Sequence, residues 1–360
     1  MRKAGVAALA ALAAGGVALA GLALTTGCAN VEYLAHSAGG HLALLDAAKP
    51  VPEWLADPAT PPKLHERLVL SQQIRDFAVA ELGLPDNASY RRYADLKRNA
   101  AVWNVVAAPE LSLKLETWCF PVVGCVGYRG YFERGQADAF AATLRERGLE
   151  VDVYGVPAYS TLGRLPGSFF ADPLLNTFIA WPEVELARLI FHELAHQVVY
   201  APGDTMFNES FATAVERIGS ARWMAERASP EAAAQYQALA ALRQDFRSLT
   251  LAARAELDAL YRSPASDADK RAGKERILQR LRTDYAALRD GPWQGFAGYD
   301  DWMARLNNAT LGVLSAYNEL VPQFERLYER EGRDLARFYA AVRELADLPA
   351  GERRATLDRL

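Results

Sequence analysis

The sequence lacks a surplus of positive charge, and it contains few histidines and few cysteines. Its 360 residues carry a formal net charge of −4, and no basic stripe interleaved with aromatic residues runs along them. Nucleic acid is therefore not an expected partner. The chain is 51% hydrophobic, which is enough to bury a sizeable core, so a globular protein is expected. With only five histidines and three cysteines, each of these residues can be weighed individually.

The first 28 residues differ in texture from the rest of the chain. A basic start precedes an Ala/Leu/Val/Gly-rich stretch at 4–24, and Thr25-Thr-Gly-Cys28 follows. This pattern is typical of a secretion signal. Its end resembles the bacterial lipoprotein cleavage box, which implies that Cys28 carries lipid, although the box usually has Leu at the position of Thr25. An ordinary cleaved signal and an uncleaved membrane anchor of about 20 residues are the alternatives.

The two remaining cysteines, Cys119 and Cys125, favour a single disulfide. Pro121 and Gly124 bend the segment between them, so the thiols can close a small ring in an oxidising compartment. A metal-binding pair is the alternative, but this Cys-x5-Cys has no histidine nearby to complete a set of ligands.

Hydropathy patterns divide the rest of the chain into an arm and one larger domain. Residues 29–64 have a mixed composition that becomes proline-rich, which is typical of a tether or N-terminal arm. The domain spans 65–360, and short β-prone runs at about 100–180 predict a small mixed sheet. Helical periodicity covers 183–226 and 230–360, and it predicts helices over 183–200, 206–226, 230–262, 268–289, 309–330 and 333–346. The predicted fold class is α+β, mostly α, with the sheet preceding a C-terminal helical bundle.

Residues 192–196 read His-Glu-Leu-Ala-His within an apolar segment that follows Pro182 and has helical periodicity. His192 and His196 are four residues apart, so both imidazoles lie on one helix face and can bind one metal ion. Glu193 is rotated by about 100° from His192, and it can hold a metal-bound water and act as its general base. A chance His-x3-His pair would not need this glutamate, so the pattern predicts one catalytic Zn²⁺.

A catalytic zinc ion needs a third protein ligand, and two glutamates on the next predicted helix compete for that role. Glu209 follows His196 after a short loop, and Glu216 lies about two turns further along the helix. The heights of two antiparallel helices do not separate the two candidates.

A resemblance to known peptidases bears on this choice. Asn208-Glu209-Ser-Phe-Ala at the start of the second helix is similar to the gluzincin peptidases, which implies that Glu209 is the third zinc ligand. The spacing departs from that of thermolysin, whose ligand lies as far beyond the second histidine as Glu216 does here, so Glu216 stays an alternative ligand. With Glu209 as ligand, Thr213 and Glu216 share its helix face and can orient an imidazole N–H.

The chain more closely resembles a bacterial lipoprotein family of predicted zinc aminopeptidases. The matching motifs are the signal with its cysteine, Trp-Cys-Phe-Pro…Gly-Cys, Tyr-Ser-Thr-Leu-Gly, Phe-His-Glu-Leu-Ala-His-Gln and Phe-Asn-Glu-Ser-Phe-Ala. The resemblance implies a gluzincin-like metallopeptidase domain over 65–360, one Zn²⁺ and a peptide or protein substrate. It also implies an exported protein that Cys28 anchors to the bacterial envelope, at the outer membrane facing the periplasm.

Two tyrosines are candidates for stabilising the oxyanion of peptide hydrolysis, because no third histidine lies near the motif. They are Tyr159, which precedes the motif, and Tyr317 on a later predicted helix. Each is also explained as a packed tyrosine whose hydroxyl is satisfied elsewhere.

Substrate specificity stays open in the sequence. The Gly-x-Met-Glu-Asn signature with which the large zinc aminopeptidases bind a free α-amine is absent, so aminopeptidase activity follows from the resemblance alone. An envelope endopeptidase is one alternative. The other is a non-catalytic, metal-stabilised lipoprotein that acts as an interaction module, although such a protein would have no use for Glu193.

Overall fold

The structure is a computed structural model. It describes residues 28–120, 124–158, 167–316 and 319–360. The predicted signal before Cys28 and the candidate donors Tyr159 and Tyr317 lie outside the described residues.

Helices account for most of the described chain. They are α1 (Cys28–Asp46), α2 (Val51–Ala56), α3 (Pro62–Ala80), α4 (Arg134–Glu146), α5 (Glu183–Ala195), α6 (Thr205–Glu226), α7 (Pro230–Arg262), α8 (Asp267–Asp290), α9 (Asp300–Ala304), α10 (Asn308–Ala316), α11 (Val321–Arg330), α12 (Leu335–Asp347) and α13 (Ala350–Asp358). Within this part of the chain, no helix combines the length and apolar character needed to cross a membrane.

The strands are short. They are β1 (Lys49–Pro50), β2 (Arg92–Ala94), β3 (Val102–Pro109), β4 (Trp118–Phe120), β5 (Gly124–Val126), β6 (Arg129–Tyr131), β7 (Leu149–Val156) and β8 (Leu174–Leu175). An antiparallel sheet has the order β6-β3-β7, and a mixed sheet has the order β1-β2-β8. Small sheets among many helices confirm the predicted class, α+β and mostly α.

Strands β4 and β5 form a hairpin closed by a disulfide. Cys119 and Cys125 face each other across the ladder, and their sulfurs are bonded. The predicted disulfide is therefore confirmed, and the cysteine pair is not a metal site.

Residues 29–64, the predicted arm, fold largely as helices α1 and α2. Leu44 and Leu45 near the end of α1 and Val51 at the start of α2 are fully or almost fully buried. They join the main hydrophobic core, so this end of the segment packs on the domain.

The main core surrounds α5 and α6. Phe191 on α5 and Phe211 on α6 are completely buried, and so are Phe324 on α11 and Phe338 on α12. A second apolar cluster joins α7, α8 and α9. Helices α5 and α6, which carry the His-Glu-x-x-His and Asn-Glu motifs, therefore lie deep in the molecule, where their relative position is fixed by packing.

Two predicted helices end earlier than expected. The helix predicted over 183–200 ends at Ala195, because the chain turns from His196 onward. The helix predicted over 309–330 is divided into α10 and α11, and Pro322 lies in the first turn of α11, where proline is tolerated.

Gly219 on α6 allows the close approach of neighbouring side chains. A Cβ at this position would lie 2.7 Å from Leu82 Cδ1 and 2.8 Å from Phe191 Cδ2. We expect Gly219→Ala to lower the free energy of unfolding by about 1–3 kcal/mol through overpacking, as measured by urea denaturation. The matched control is Gly39→Ala on α1, where a Cβ meets nothing within 4 Å. The control is expected to be neutral or stabilising, and equal losses in both variants would contradict the packing argument.

Candidate metal centre

Helix α5 presents the His-Glu-x-x-His motif along its last turn. Pro182 precedes the helix, and Glu183 and Glu185 lie in its first turn, where carboxylates interact favourably with the helix dipole. His192 lies in the final turn, and His196 follows as the capping residue in a helical conformation. The two imidazoles therefore keep the one-turn spacing that the sequence predicts.

The loop from α5 to α6 is fixed by a few specific contacts. Gly203 has a φ of +78°, a left-handed conformation that glycine adopts without strain. The Asp204 side chain then caps α6 by accepting a hydrogen bond from the Phe207 N–H. Asn208 is 2% exposed, and its side-chain amide bonds both the N–H and the C=O of Ala201, at 2.7 and 2.8 Å. These bonds set the position of the adjacent Glu209.

Three donor atoms converge between α5 and α6. His192 Nε2 lies 3.2 Å from His196 Nε2 and 3.2 Å from a Glu209 carboxylate oxygen, and His196 Nε2 lies 3.6 Å from the same oxygen. Zinc–ligand bonds of about 2.0–2.2 Å in tetrahedral geometry place ligand atoms about 3.3–3.6 Å apart. Two imidazoles and a carboxylate at these separations form a group that could hold one metal ion.

Glu216 contacts the other side of the His192 ring. Its Oε2 lies 3.0 Å from His192 Nδ1, and its Oε1 accepts a 2.7 Å hydrogen bond from Arg188 Nε. Glu216 thus lies outside the group of three donor atoms. Arg188 also bonds Glu185 at 2.9 Å, and Glu185 in turn accepts from Arg243 at 2.7 Å.

The negative charge of Glu216 determines that the Nδ1 atom of His192 carries a proton. Burial alone would raise the pKa of Glu216, but the Arg188 guanidinium and the bond to His192 lower it to about 2. An ionised Glu216 can only accept, so His192 donates through Nδ1–H. With Nδ1–H used in this way, an unprotonated Nε2 would direct its lone pair at the other two donor atoms, which is the form that metal binding needs.

Two cavities adjoin this centre and share Leu189, His192 and Glu193 in their linings. The strand-side cavity, about 450 Å³, lies among α1, β3, β6, β7 and α5, and it also reaches His196 and Glu209. The helix-side cavity, about 530 Å³, lies among α5, α6 and α7. Glu193 is partly exposed, and it lies on the boundary between the two spaces.

The structure brings together most of the residues that the sequence predicts for the site. His192, Glu193, His196 and Glu209 line the strand-side cavity. Thr213 is buried and lines the helix-side cavity together with Glu216.

Sequence reasoning missed two residues near the centre. Arg188 donates a hydrogen bond to Glu216. Its position one turn before His192 on the same helix was the feature of the sequence that could have indicated a role near the centre. Tyr128 lines the strand-side cavity, and no motif marks it. Burial raises the pKa of Tyr128 far above its usual value, and the Glu209 carboxylate raises it further. Its hydroxyl therefore stays protonated, and the residue lines the same cavity as Glu193.

Asn208 gives a test of how the loop supports the centre. We expect Asn208→Ala to lower the free energy of unfolding by about 1–3 kcal/mol, because it leaves the buried N–H and C=O of Ala201 unsatisfied. Since Asn208 positions Glu209, metal affinity should fall as well. Thermal unfolding with and without added zinc measures both effects. Unchanged stability and unchanged zinc binding would contradict the role given to this side chain.

Comparison with known proteins gives one match. A family model described as a putative aminopeptidase matches residues 32–357. No curated protein and no solved structure matches the chain.

Proposed function

The chain belongs to the putative aminopeptidase family, and from this premise we propose that it is a zinc-dependent aminopeptidase. The family description supports peptidase activity in general. The observation that supports zinc dependence is the convergence of His192 Nε2, His196 Nε2 and a Glu209 oxygen at 3.2–3.6 Å. Beside them lies Glu193, which lines both cavities. This donor set would hold one Zn²⁺ and leave a fourth position open.

In the proposed mechanism, each side chain has one role. A bound zinc ion supplies Lewis-acid chemistry, polarising the peptide carbonyl and lowering the pKa of water. The Glu193 carboxylate takes the proton of the attacking water and passes it to the leaving amine. Glu216, held by Arg188, keeps the Nδ1 proton on His192 and so orients the ring.

Oxyanion stabilisation needs a further donor. We assign this role to Tyr128 among the described residues, because the residue lines the strand-side cavity with Glu193 and its raised pKa keeps the hydroxyl protonated. Tyr159 and Tyr317 stay candidates from the sequence.

The test compares three substrates with zinc-loaded and chelator-treated protein. Leucine amide is expected to be cleaved, whereas N-acetyl-leucine amide is not, and the chelator should abolish cleavage. Cleavage of a denatured protein at internal bonds would identify an endopeptidase instead. No cleavage of any substrate by the zinc-loaded protein would favour a metal-stabilised interaction module.

Export and lipid anchoring through Cys28 are also part of the proposal, with the periplasmic face of the outer membrane as the expected location. The signal-like stretch and its cysteine support them. The intact mass of protein extracted from membranes should show a lipid-modified Cys28 as the first residue, and an unmodified mature chain would contradict anchoring.

A further inference from the structure

The helix-side cavity is rich in arginine. Arg188 from α5, Arg217 from α6, and Arg243 and Arg247 from α7 all contribute to its lining. The carboxylates in the same lining are Glu185, Glu193 and Glu216. The proposed function reserves Glu193 for catalysis, so the positive charges outnumber the carboxylates that can pair with them.

The carboxylates of this lining do not pair with all four arginines. Glu185 and Glu216 bind Arg188, and Glu185 also binds Arg243 through Nη1. Within the described part of the chain, Arg243 Nη2 is buried and has no hydrogen-bond partner. Arg217 bonds Glu325, which is 43% exposed, at 3.1 Å.

Arg247 is the most distinctive member of the group. Its side chain is half-buried, and it makes no ion pair or hydrogen bond with the residues that the structure describes. Burial lowers the pKa of Arg247, and the positive charges of Arg217, Arg188 and Arg243 lower it further. A guanidinium among other guanidiniums in a partly desolvated cavity is stabilised when an anion enters.

We propose that Arg247 binds the C-terminal carboxylate of a short peptide substrate. Arginine matches a carboxylate with two parallel N–H donors, and the cavity shares His192 and Glu193 with the proposed catalytic centre. This inference rests on the proposed function and narrows it to short peptides with a free C-terminus.

The different charges of the two cavity linings indicate how a bound peptide is oriented. The described lining of the strand-side cavity contains no arginine or lysine, whereas the helix-side cavity contains four arginines. The carboxylate end therefore lies on the helix side. The N-terminal residue then occupies the strand-side cavity, whose volume of about 450 Å³ limits what can precede the cleaved bond.

The test compares Leu-Gly-Gly with Leu-Gly-Gly amide, which differ only in the terminal carboxylate. We expect the wild-type protein to hydrolyse the free acid with a kcat/KM about 10- to 100-fold higher than that of the amide, mainly through KM. In Arg247→Gln this ratio should fall towards 1. Arg262→Gln, the same substitution on an arginine of α7 that is 79% exposed, should keep the wild-type ratio.

A binding measurement separates this inference from the proposed activity. Calorimetry with zinc-loaded Glu193→Gln should show tighter binding of the free acid than of the amide, and adding Arg247→Gln should remove the difference. If no peptide is cleaved by the wild type but this binding preference is present, the proposed function fails and the carboxylate site stands.

Three results would overturn the carboxylate site. The first is equal kcat/KM and equal affinity for the two peptides. The second is an unchanged ratio in a folded Arg247→Gln protein, and folding is expected because the replacement removes an unpaired charge. The third is that Leu-Glu-Gly amide matches Leu-Gly-Gly, which would assign the arginines to an acidic side chain.

Discussion

Replacing Glu193 by glutamine is expected to lower kcat/KM for leucine amide by about 10²- to 10⁴-fold, with zinc still bound at one ion per chain. Glutamine keeps the shape of the side chain, but its amide cannot accept the proton of the attacking water at neutral pH. His192, His196 and Glu209 are unchanged by this substitution, so the metal should stay in place. Steady-state kinetics and metal analysis of the same sample measure the two expectations together.

The control for this prediction is Glu226→Gln, the same substitution at the exposed end of α6. It should leave both activity and zinc content at wild-type values. Activity above one tenth of wild type in zinc-loaded Glu193→Gln would remove Glu193 from the mechanism. Loss of zinc in that variant would instead make Glu193 part of the metal site.

The second large effect is expected from the two glutamates that contact opposite sides of His192. Glu209→Ala removes a carboxylate oxygen that lies 3.2 Å from His192 Nε2. This oxygen is one of the three proposed zinc ligands. We expect this variant to lose zinc on dialysis, together with its activity. Glu216→Ala removes only the partner of Nδ1, so zinc affinity should fall by about 10- to 100-fold.

Zinc titration with a competing chelator distinguishes the two glutamates. The expected order of affinity is wild type, then Glu216→Ala, then Glu209→Ala. Since Glu216 also neutralises Arg188, its removal should lower thermal stability as well, and Glu216→Gln separates this charge effect from the loss of the hydrogen bond. Full retention of zinc by Glu209→Ala would contradict the assignment of the third ligand.

The spacing of the histidines could be predicted because it depends only on local helix geometry. A separation of four residues places His192 and His196 on one face of any α-helix, and their Nε2 atoms are indeed 3.2 Å apart. The disulfide was equally local, since Cys119 and Cys125 belong to one hairpin.

The sequence could not predict which of Glu209 and Glu216 lies beside the Nε2 atoms of the two histidines, because this depends on the register between two packed helices. Close packing at Gly219 against Phe191, and the bonds of Asn208 to Ala201, set that register. Neither contact is visible in a helical periodicity. The two glutamates lie on one face of α6, and the His192 ring is placed between their carboxylates.

The predicted end of α5 was wrong because tertiary contacts, which the periodicity does not show, also determine where a helix ends. No helix breaker precedes Pro202, so the periodic pattern continued to residue 200, yet the helix ends at Ala195. Asn208 binds the backbone N–H and C=O of Ala201 from the next helix, so Ala201 itself cannot continue a helix. The arginine-lined cavity could not be predicted from the sequence either, because α7 contacts α5 only in the folded chain.

The central claim is that one zinc ion lies between α5 and α6, and an anomalous difference map at the zinc absorption edge tests it most directly. Crystals of protein purified without chelator should show one peak, about 2.0–2.2 Å from Nε2 of His192, Nε2 of His196 and a carboxylate oxygen of Glu209. Glu216 should stay hydrogen-bonded to His192 Nδ1. A peak bound by Glu216 instead of Glu209, or zinc-supplemented crystals with no peak between these helices, would contradict the account.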